Sequence, residues 1–264
     1  MKIEKKVVWI TGASSGIGEA LAYEFNNKGI HLILSARRTE ELERVKSGCL
    51  NSDETVKILP LDLADADSIP QKAQEALELF GSVDMLINNG GISQRAIAAD
   101  ASMETIRQVM EVNFFGTVAL TKAVLPGMIE QKSGHIVVIS SVMGKFGTQF
   151  RSAYAASKHA LHGWFDSLRQ EVYQYNIDVT LVCPGYVKTN VTVNALTADG
   201  QKFNKMGEGQ KKAMSPEEFA RKLFPKLVKK KEEVYIGGME VLAVYLKRWF
   251  PGLLNRLLRR VKVT

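Results

Sequence analysis

Short clusters of apolar, mostly β-branched residues alternate along this chain with longer stretches whose apolar residues recur at helical spacing. The short runs predict seven strands, at residues 7–10, 31–35, 55–59, 85–88, 135–140, 178–182 and 233–236. The clearest predicted helices lie at 15–27, 39–46, 68–80, 102–125 and 152–175, each opening near a Ser or Thr able to cap it. Strand and helix in regular alternation predict βαβ units with right-handed crossovers. The fold class that follows is α/β, a Rossmann-type doubly wound parallel sheet of seven strands with helices on both faces. Its ligand crevice should lie beyond the carboxyl ends of the strands.

Late in the chain the pattern changes. Periodicity is lost over residues 189–210, Ser215-Pro216-Glu217-Glu218 reads as a helix start, and residues 239–260 mix apolar with basic side chains. No internal repeat or low-complexity tract interrupts the chain.

With 264 residues, 45% hydrophobic and 24% charged, the chain suits one globular domain spanning 1–264, of which 239–264 forms an apolar and basic extension. A net charge of +7 admits nucleic acid, an anionic membrane surface or an anionic cofactor as the partner. The basic excess sits mostly from Lys202 onward, and no basic arm or aromatic platform precedes it, which argues against nucleic acid. Met1 to Lys6 run straight into the first strand, too short a prelude for a signal sequence. Cys49 and Cys183 read as reduced thiols without metal-ligand spacing. A cytoplasmic protein with no metal is expected.

After the first strand comes Thr11-Gly12-Ala13-Ser14-Ser15-Gly16-Ile17-Gly18, leading into an apolar helix. Glycines there let the backbone approach a pyrophosphate, and the helix start offers free N–H groups and partial positive charge. A tight turn with no ligand is the plain alternative for such a loop. The second strand ends at Ser35-Ala36, followed by Arg37-Arg38. A site selective for NAD wants a carboxylate at that place, whereas an arginine suits the 2′-phosphate of NADP. Asp62-Leu63 after the third strand and Asn88-Asn89-Gly90-Gly91 after the fourth fall on the same rim.

Ser141 ends the fifth strand, and Tyr154 and Lys158 stand four apart on one helix face. A free tyrosine titrates near 10, so acid/base work at neutral pH calls for a nearby cation, a part Lys158 is placed to play. Asn113, a poor helix former within the long helix from Ser102, is a candidate to kink the backbone and bind water.

Taken together, T-G-A-S-S-G-I-G, N-N-G-G, N-F-F-G, Ser141, Y-A-A-S-K and P-G-Y-V-K-T resemble the short-chain dehydrogenase/reductase family, from about Val7 to Thr189. The resemblance implies that Ser141 orients a carbonyl, Tyr154 exchanges the proton, Lys158 holds the ribose and lowers the tyrosine pKa, and Asn113 anchors a relay water. It implies NADP(H) lying against Gly12, Ser14, Ser15, Gly16, Ile17, Gly18, Arg37, Arg38, Asp62, Leu63, Asn89, Gly90, Tyr154, Lys158, Pro184, Gly185, Val187 and Thr189. The family usually reads N-N-A-G where this chain has Gly90, a loss of one methyl expected to leave the cofactor wall intact. Pro184 to Gly200 is similar to the dehydrogenase/reductase member 7 branch, its B form included, which implies lipophilic carbonyl substrates. Animal members of that branch carry an N-terminal membrane anchor, which is not carried over to a chain starting at its first strand.

In the tail, Leu253, Leu254, Leu257 and Leu258 repeat at helical spacing among arginines, with Pro251-Gly252 beginning the helix. A pocket cover or a subunit contact is the leading reading, peripheral membrane contact through 239–260 the other. The sequence thus points to an NADPH-dependent oxidoreductase acting on a small-molecule carbonyl or alcohol, as a homodimer or homotetramer. The alternative is a catalytically idle NADP-binding sensor, which a missing Tyr154 or Lys158 would have favoured.

Overall fold

A computed structural model of the chain describes residues 5–204 and 213–260. In order these form β1 (Val7–Thr11), α1 (Gly16–Asn26), β2 (His31–Ser35), α2 (Thr39–Ser47), the single turn α3 (Ser52–Thr55), β3 (Val56–Ile58), α4 (Ile69–Phe80) and β4 (Met85–Asn88). There follow α5 (Met103–Met110), a π-helical turn (Glu111–Phe115), α6 (Gly116–Gln131), β5 (Gly134–Ile139), α7 (Ser152–Val172) and β6 (Ile177–Pro184). Last come α8 (Pro216–Val228), β7 (Glu233–Ile236), α9 (Leu242–Trp249) and α10 (Pro251–Leu258). The seven strands pair in parallel in the order β3-β2-β1-β4-β5-β6-β7. The chain therefore winds outward from β1 in two directions, and the reversal opens a crevice at the carboxyl ends of β1 and β4.

Alternate strand residues feed two separate cores, as the pleat demands. Val7, Trp9, Ile33, Leu86, Ile136 and Val138 face one side, under α4, α6 and α7. Val8, Ile10, Leu32, Leu34, Ile87 and Val137 face the other, under α1, α2 and α8. The continuous helical stretch Met103–Gln131 is apolar and long enough to cross a membrane, but Val109, Val112, Leu120, Val124 and Met128 are buried within this protein.

All seven strands form where the pattern puts them, with shifts at their ends. β3 is shorter than expected and β6 runs on to Pro184. The long segment expected as one helix over 102–125 is broken by the π turn and continues through Pro126 to Gln131. Pro126 removes one helical hydrogen bond and crowds the carbonyl four residues back, yet α6 continues through it, its φ being compatible with helix. Hydroxyl capping is scarcer than expected. Ser102 accepts from the Thr105 amide and Ser215 from the Glu218 amide, whereas Ser15 and Ser68 form no such bond and Arg151, not a hydroxyl residue, precedes α7. The irregular stretch expected to reach Gln210 lies outside the described residues beyond 204, as does the end of the extension after 260.

His135 on β5 is buried and hydrogen-bonded through Nε2 to Thr180 Oγ1 at 2.8 Å. Burial lowers its pKa from 6.5 to about 4. Within that window the unfolded chain takes up a proton that the native chain refuses, so stability falls as pH drops through it. Full passage costs about 3 kcal/mol at 1.36 kcal/mol per unit. We expect His135→Gln to flatten this acid limb of Tm against pH; an unchanged limb would refute the assignment.

Candidate active site

The loop after β1 is shaped by its glycines. Gly12 and Gly16 adopt φ of +64° and +60°, values costly for other residues. A Cβ on Gly12 would stand 2.8 Å from the Gly90 Cα, and one on Gly18 would run into the Gly12 carbonyl. The loops after β1 and β4 thus touch backbone to backbone. They are stitched together by Thr11 Oγ1, which accepts from the Asn89 and Gly90 amides at 3.0 and 2.9 Å. Asn89 Nδ2 returns the contact by donating to the Thr11 carbonyl at 2.9 Å. Ser15 stands extended ahead of α1 and Ile17 sits in its first turn.

At the end of β2, Arg37 and Arg38 are exposed, and Arg38 donates to Ser14 Oγ at 3.3 Å. Arg44, which sequence reasoning missed, reaches the Ser14 carbonyl at 3.4 Å while pairing with Glu19 at 2.7 Å. It neutralises the one carboxylate in the first turn of α1, leaving the glycine loop flanked by cations. Its signal was absent because Glu19 and Arg44 belong to different helices. Asp62 caps its own loop through the Ala64 amide. Leu63 explains the N-N-G-G departure: a methyl on Gly90 would stand 2.6 Å from Leu63 Cδ1. The leucine fills the space that the usual alanine would take.

The sequence-picked catalytic set converges at the carboxyl end of β5. Ser141 stands within hydrogen-bonding reach of the Tyr154 phenol and accepts from the Met143 amide at 3.1 Å. The buried Lys158 ammonium donates to the Ile139 carbonyl at 2.9 Å and lies 5.7 Å from the centroid of the Tyr154 ring. Burial lowers Lys158 from 10.5 to about 8. Tyr154 is pushed above 10 by burial, against smaller lowering effects from the Ser141 hydrogen bond and the Arg151 charge. Arg151, which the sequence did not single out, is a cation that favours the phenolate. Arg151 is held by Ser93 Oγ at 2.6 Å and the Gln94 carbonyl at 3.2 Å.

Asn113 occupies the π turn, as its expected kinking role requires. Its side chain is bound to protein at both ends: Oδ1 accepts from the Ile92 amide at 2.8 Å, and Nδ2 donates to the Ile92 carbonyl and Ser157 Oγ, both at 2.9 Å. Ser157 in turn donates to the Tyr154 carbonyl at 2.8 Å. Asn113 thereby joins the β4 loop to the helix bearing Tyr154.

Pro184 closes β6, and Gly185 follows with no room for a side chain, since a Cβ would enter the Glu240 carboxylate. Glu240 accepts from the Tyr186 and Gly238 amides at 2.8 and 3.0 Å, tying the root of the C-terminal extension to this loop. Val187 is buried and Thr189 places its methyl over Gly16. Glu240 is another residue the sequence hid, being fifty-four positions from Tyr186.

Behind Ser141, Cys183, His162 and Glu233 bring possible ligand atoms within 4.8 Å of one another, an arrangement that spacing along the chain did not reveal. The Lys145 ammonium, 2.6 Å from Glu233, already balances that carboxylate. A separate cleft bounded by Lys6, Asp84, His135 and Lys230 lies at the amino edge of the sheet, away from these groups.

Comparison with known proteins follows the same lines. A family model described as short chain dehydrogenase matches residues 6–199. A Drosophila melanogaster protein, dehydrogenase/reductase SDR family protein 7-like, is 47% identical over 253 residues, covering 94% of this chain and 78% of that protein. Bovine (Bos taurus) dehydrogenase/reductase SDR family member 7B is 46% identical over 263 residues, covering 97% and 81%. Among solved structures, an alcohol dehydrogenase from Thermococcus sibiricus complexed with 5-hydroxy-NADP superposes with a TM-score of 0.76 at 26% identity, covering 90% of this chain and 98% of that one.

The two glycines that meet at the switch point should differ in tolerance. Gly12→Ala meets backbone at a positive φ and is expected to lower dinucleotide affinity by more than about tenfold. Gly90→Ala meets a terminal methyl that can rotate, and should cost about 1 kcal/mol of stability with binding kept. Dinucleotide titration and thermal melting of both variants test this; equal loss of binding in both would contradict it.

Proposed function

The chain belongs to the short chain dehydrogenase family, in the branch of dehydrogenase/reductase members 7 and 7B, and from that premise we propose that it is an NADPH-dependent oxidoreductase interconverting a lipophilic ketone or aldehyde and its alcohol. The observation that carries this reading is the meeting of Ser141, Tyr154 and Lys158 on one rim with a glycine loop flanked by Arg37 and Arg38. The residues present fit a dinucleotide: side chains are excluded from the loop where a pyrophosphate would approach, and the ribose end bears arginines in place of a carboxylate. When bound, the cofactor supplies the hydride.

The protein's part is proton supply and charge stabilisation. Burial keeps the Tyr154 phenol protonated at neutral pH, so in the reductive direction it carries the proton that the nascent alkoxide needs. Ser141 adds a second donor to the same oxygen. Lys158, from beneath the tyrosine ring, is placed to bind ribose hydroxyls. Asn113 acts as a positioning residue through Ser157. The preference for a lipophilic substrate draws on a cleft beside the Gln94–Leu196 bridge, where Ala96, Ile97, Phe150, Ala198 and Phe203 outnumber Asp100 and Arg95, the latter 4.7 Å from the Phe203 ring centroid. An idle NADP sensor has no observation in its favour.

Arg37→Ala should weaken NADPH binding roughly tenfold or more, since a charged hydrogen bond contributes about 1.5–3 kcal/mol, and leave NADH nearly unchanged. Fluorescence titration with both cofactors decides; equal losses would reject the 2′-phosphate assignment.

Tyr154→Phe should lower kcat by about a hundredfold or more in a carbonyl screen read by NADPH absorbance, while cofactor affinity survives. Near-normal turnover would remove the phenol from the mechanism and favour the sensor.

A further inference from the structure

The C-terminal extension has two faces. Val244 on α9 and Leu254 on α10 are buried against Val142 and Phe146, directly beside Ser141. On the outer face Leu242, Tyr245 and Trp249 recur at helical spacing along α9, followed by Phe250 at the corner and by Leu253 and Leu257 along α10. These side chains are exposed, Trp249 by 73% and Phe250 by 63%, as is Met239 at the root of the extension. So concentrated a set of bare apolar side chains calls for a partner.

Charge identifies the partner. No acidic residue follows Glu240, while Arg248, Arg256, Arg259 and Arg260 are exposed around the apolar residues. A second copy of the chain meeting this face about a two-fold axis would bring those arginines toward one another with no carboxylate in the segment to pair them. An apolar face with tryptophan, tyrosine and phenylalanine, edged by arginine, fits the boundary between acyl chains and negatively charged headgroups. We propose that α9 and α10 form a docking face for an anionic lipid bilayer.

The position of this face gives it a use. Its inner side packs on the turn that follows Ser141, and its root is held by Glu240 to the Gly185–Tyr186 loop. A chain seated through α9 and α10 has its catalytic rim beside the bilayer, where a lipophilic molecule would be at high local concentration. The docking itself does not depend on the proposed chemistry and is measured without turnover.

The test uses the full chain, sedimented with vesicles of phosphatidylcholine alone or mixed with phosphatidylserine. We expect pelleting with the mixed vesicles, a weaker signal with phosphatidylcholine alone, and release by high salt. Arg256→Glu/Arg259→Glu should cut affinity for the mixed vesicles by roughly fivefold for each cation lost or more. Trp249→Glu/Leu253→Glu should abolish binding, with NADPH affinity and melting temperature retained to show that the exposed substitutions leave the fold intact. Three results would overturn the proposal: no pelleting of the wild-type chain with anionic vesicles, pelleting indifferent to both double substitutions, or a fall in the sedimentation mass of Trp249→Glu/Leu253→Glu without vesicle binding by the wild type. The last would assign the face to a second copy.

Discussion

The site rests on the approach of two backbones. After β1 and β4 the chain turns away in opposite directions, and the crevice exists because Gly12, bare of a side chain, lets its turn come into van der Waals contact with the backbone at Gly90. Thr11 and Asn89 hold the approach with reciprocal hydrogen bonds. Each turn then feeds a different half of the site. From β1 the chain enters α1, whose free amides face the crevice. From β4 it runs through Ile92 to Asn113 and so, by way of Ser157, to the backbone of Tyr154. A displacement at Gly90 would be felt at both the phosphate end and the catalytic helix.

Electrostatics near Tyr154 are a contest between desolvation and charge, and in the chain alone desolvation wins. Arg151 and the Ser141 hydrogen bond favour the phenolate but do not offset burial. The same burial drives Lys158 the other way, to about 8, so two groups nearly matched when free are driven apart, each toward its neutral form. A charged ligand beside them can tip that balance. Behind them Cys183 is held as a thiol by burial, and His162, its pKa lowered to about 4, stays neutral.

Much of this was legible in the residues because it is local. Seven β-branched runs, a glycine loop after the first, and a tyrosine and lysine one helical turn apart need no partner elsewhere to be read. What escaped depends on contacts across the fold. Arg44 matters through Glu19, Arg151 through Ser93 and Gln94, and Glu240 through Tyr186. Nothing in the immediate neighbourhood of these three distinguishes them. Hydroxyl capping was not legible from the residue type either: Ser102 and Ser215 cap their helices from an extended backbone, and Ser15, extended as well, does not.

The π turn at Glu111–Phe115 carries one more consequence. A π turn takes in an extra residue relative to an α turn, so the faces of α5 and α6 are out of phase by about 100° compared with an uninterrupted helix. Excising any one residue between α5 and α6 would restore regular winding and, in doing so, swing Thr105 and Val109 out of their buried positions unless Leu120 and Val124 left theirs. Substitution at these positions changes a side chain; deletion re-aims an entire helix. In this segment chain length is therefore held more tightly than residue identity, Asn113 excepted, and related sequences should align across it without gaps.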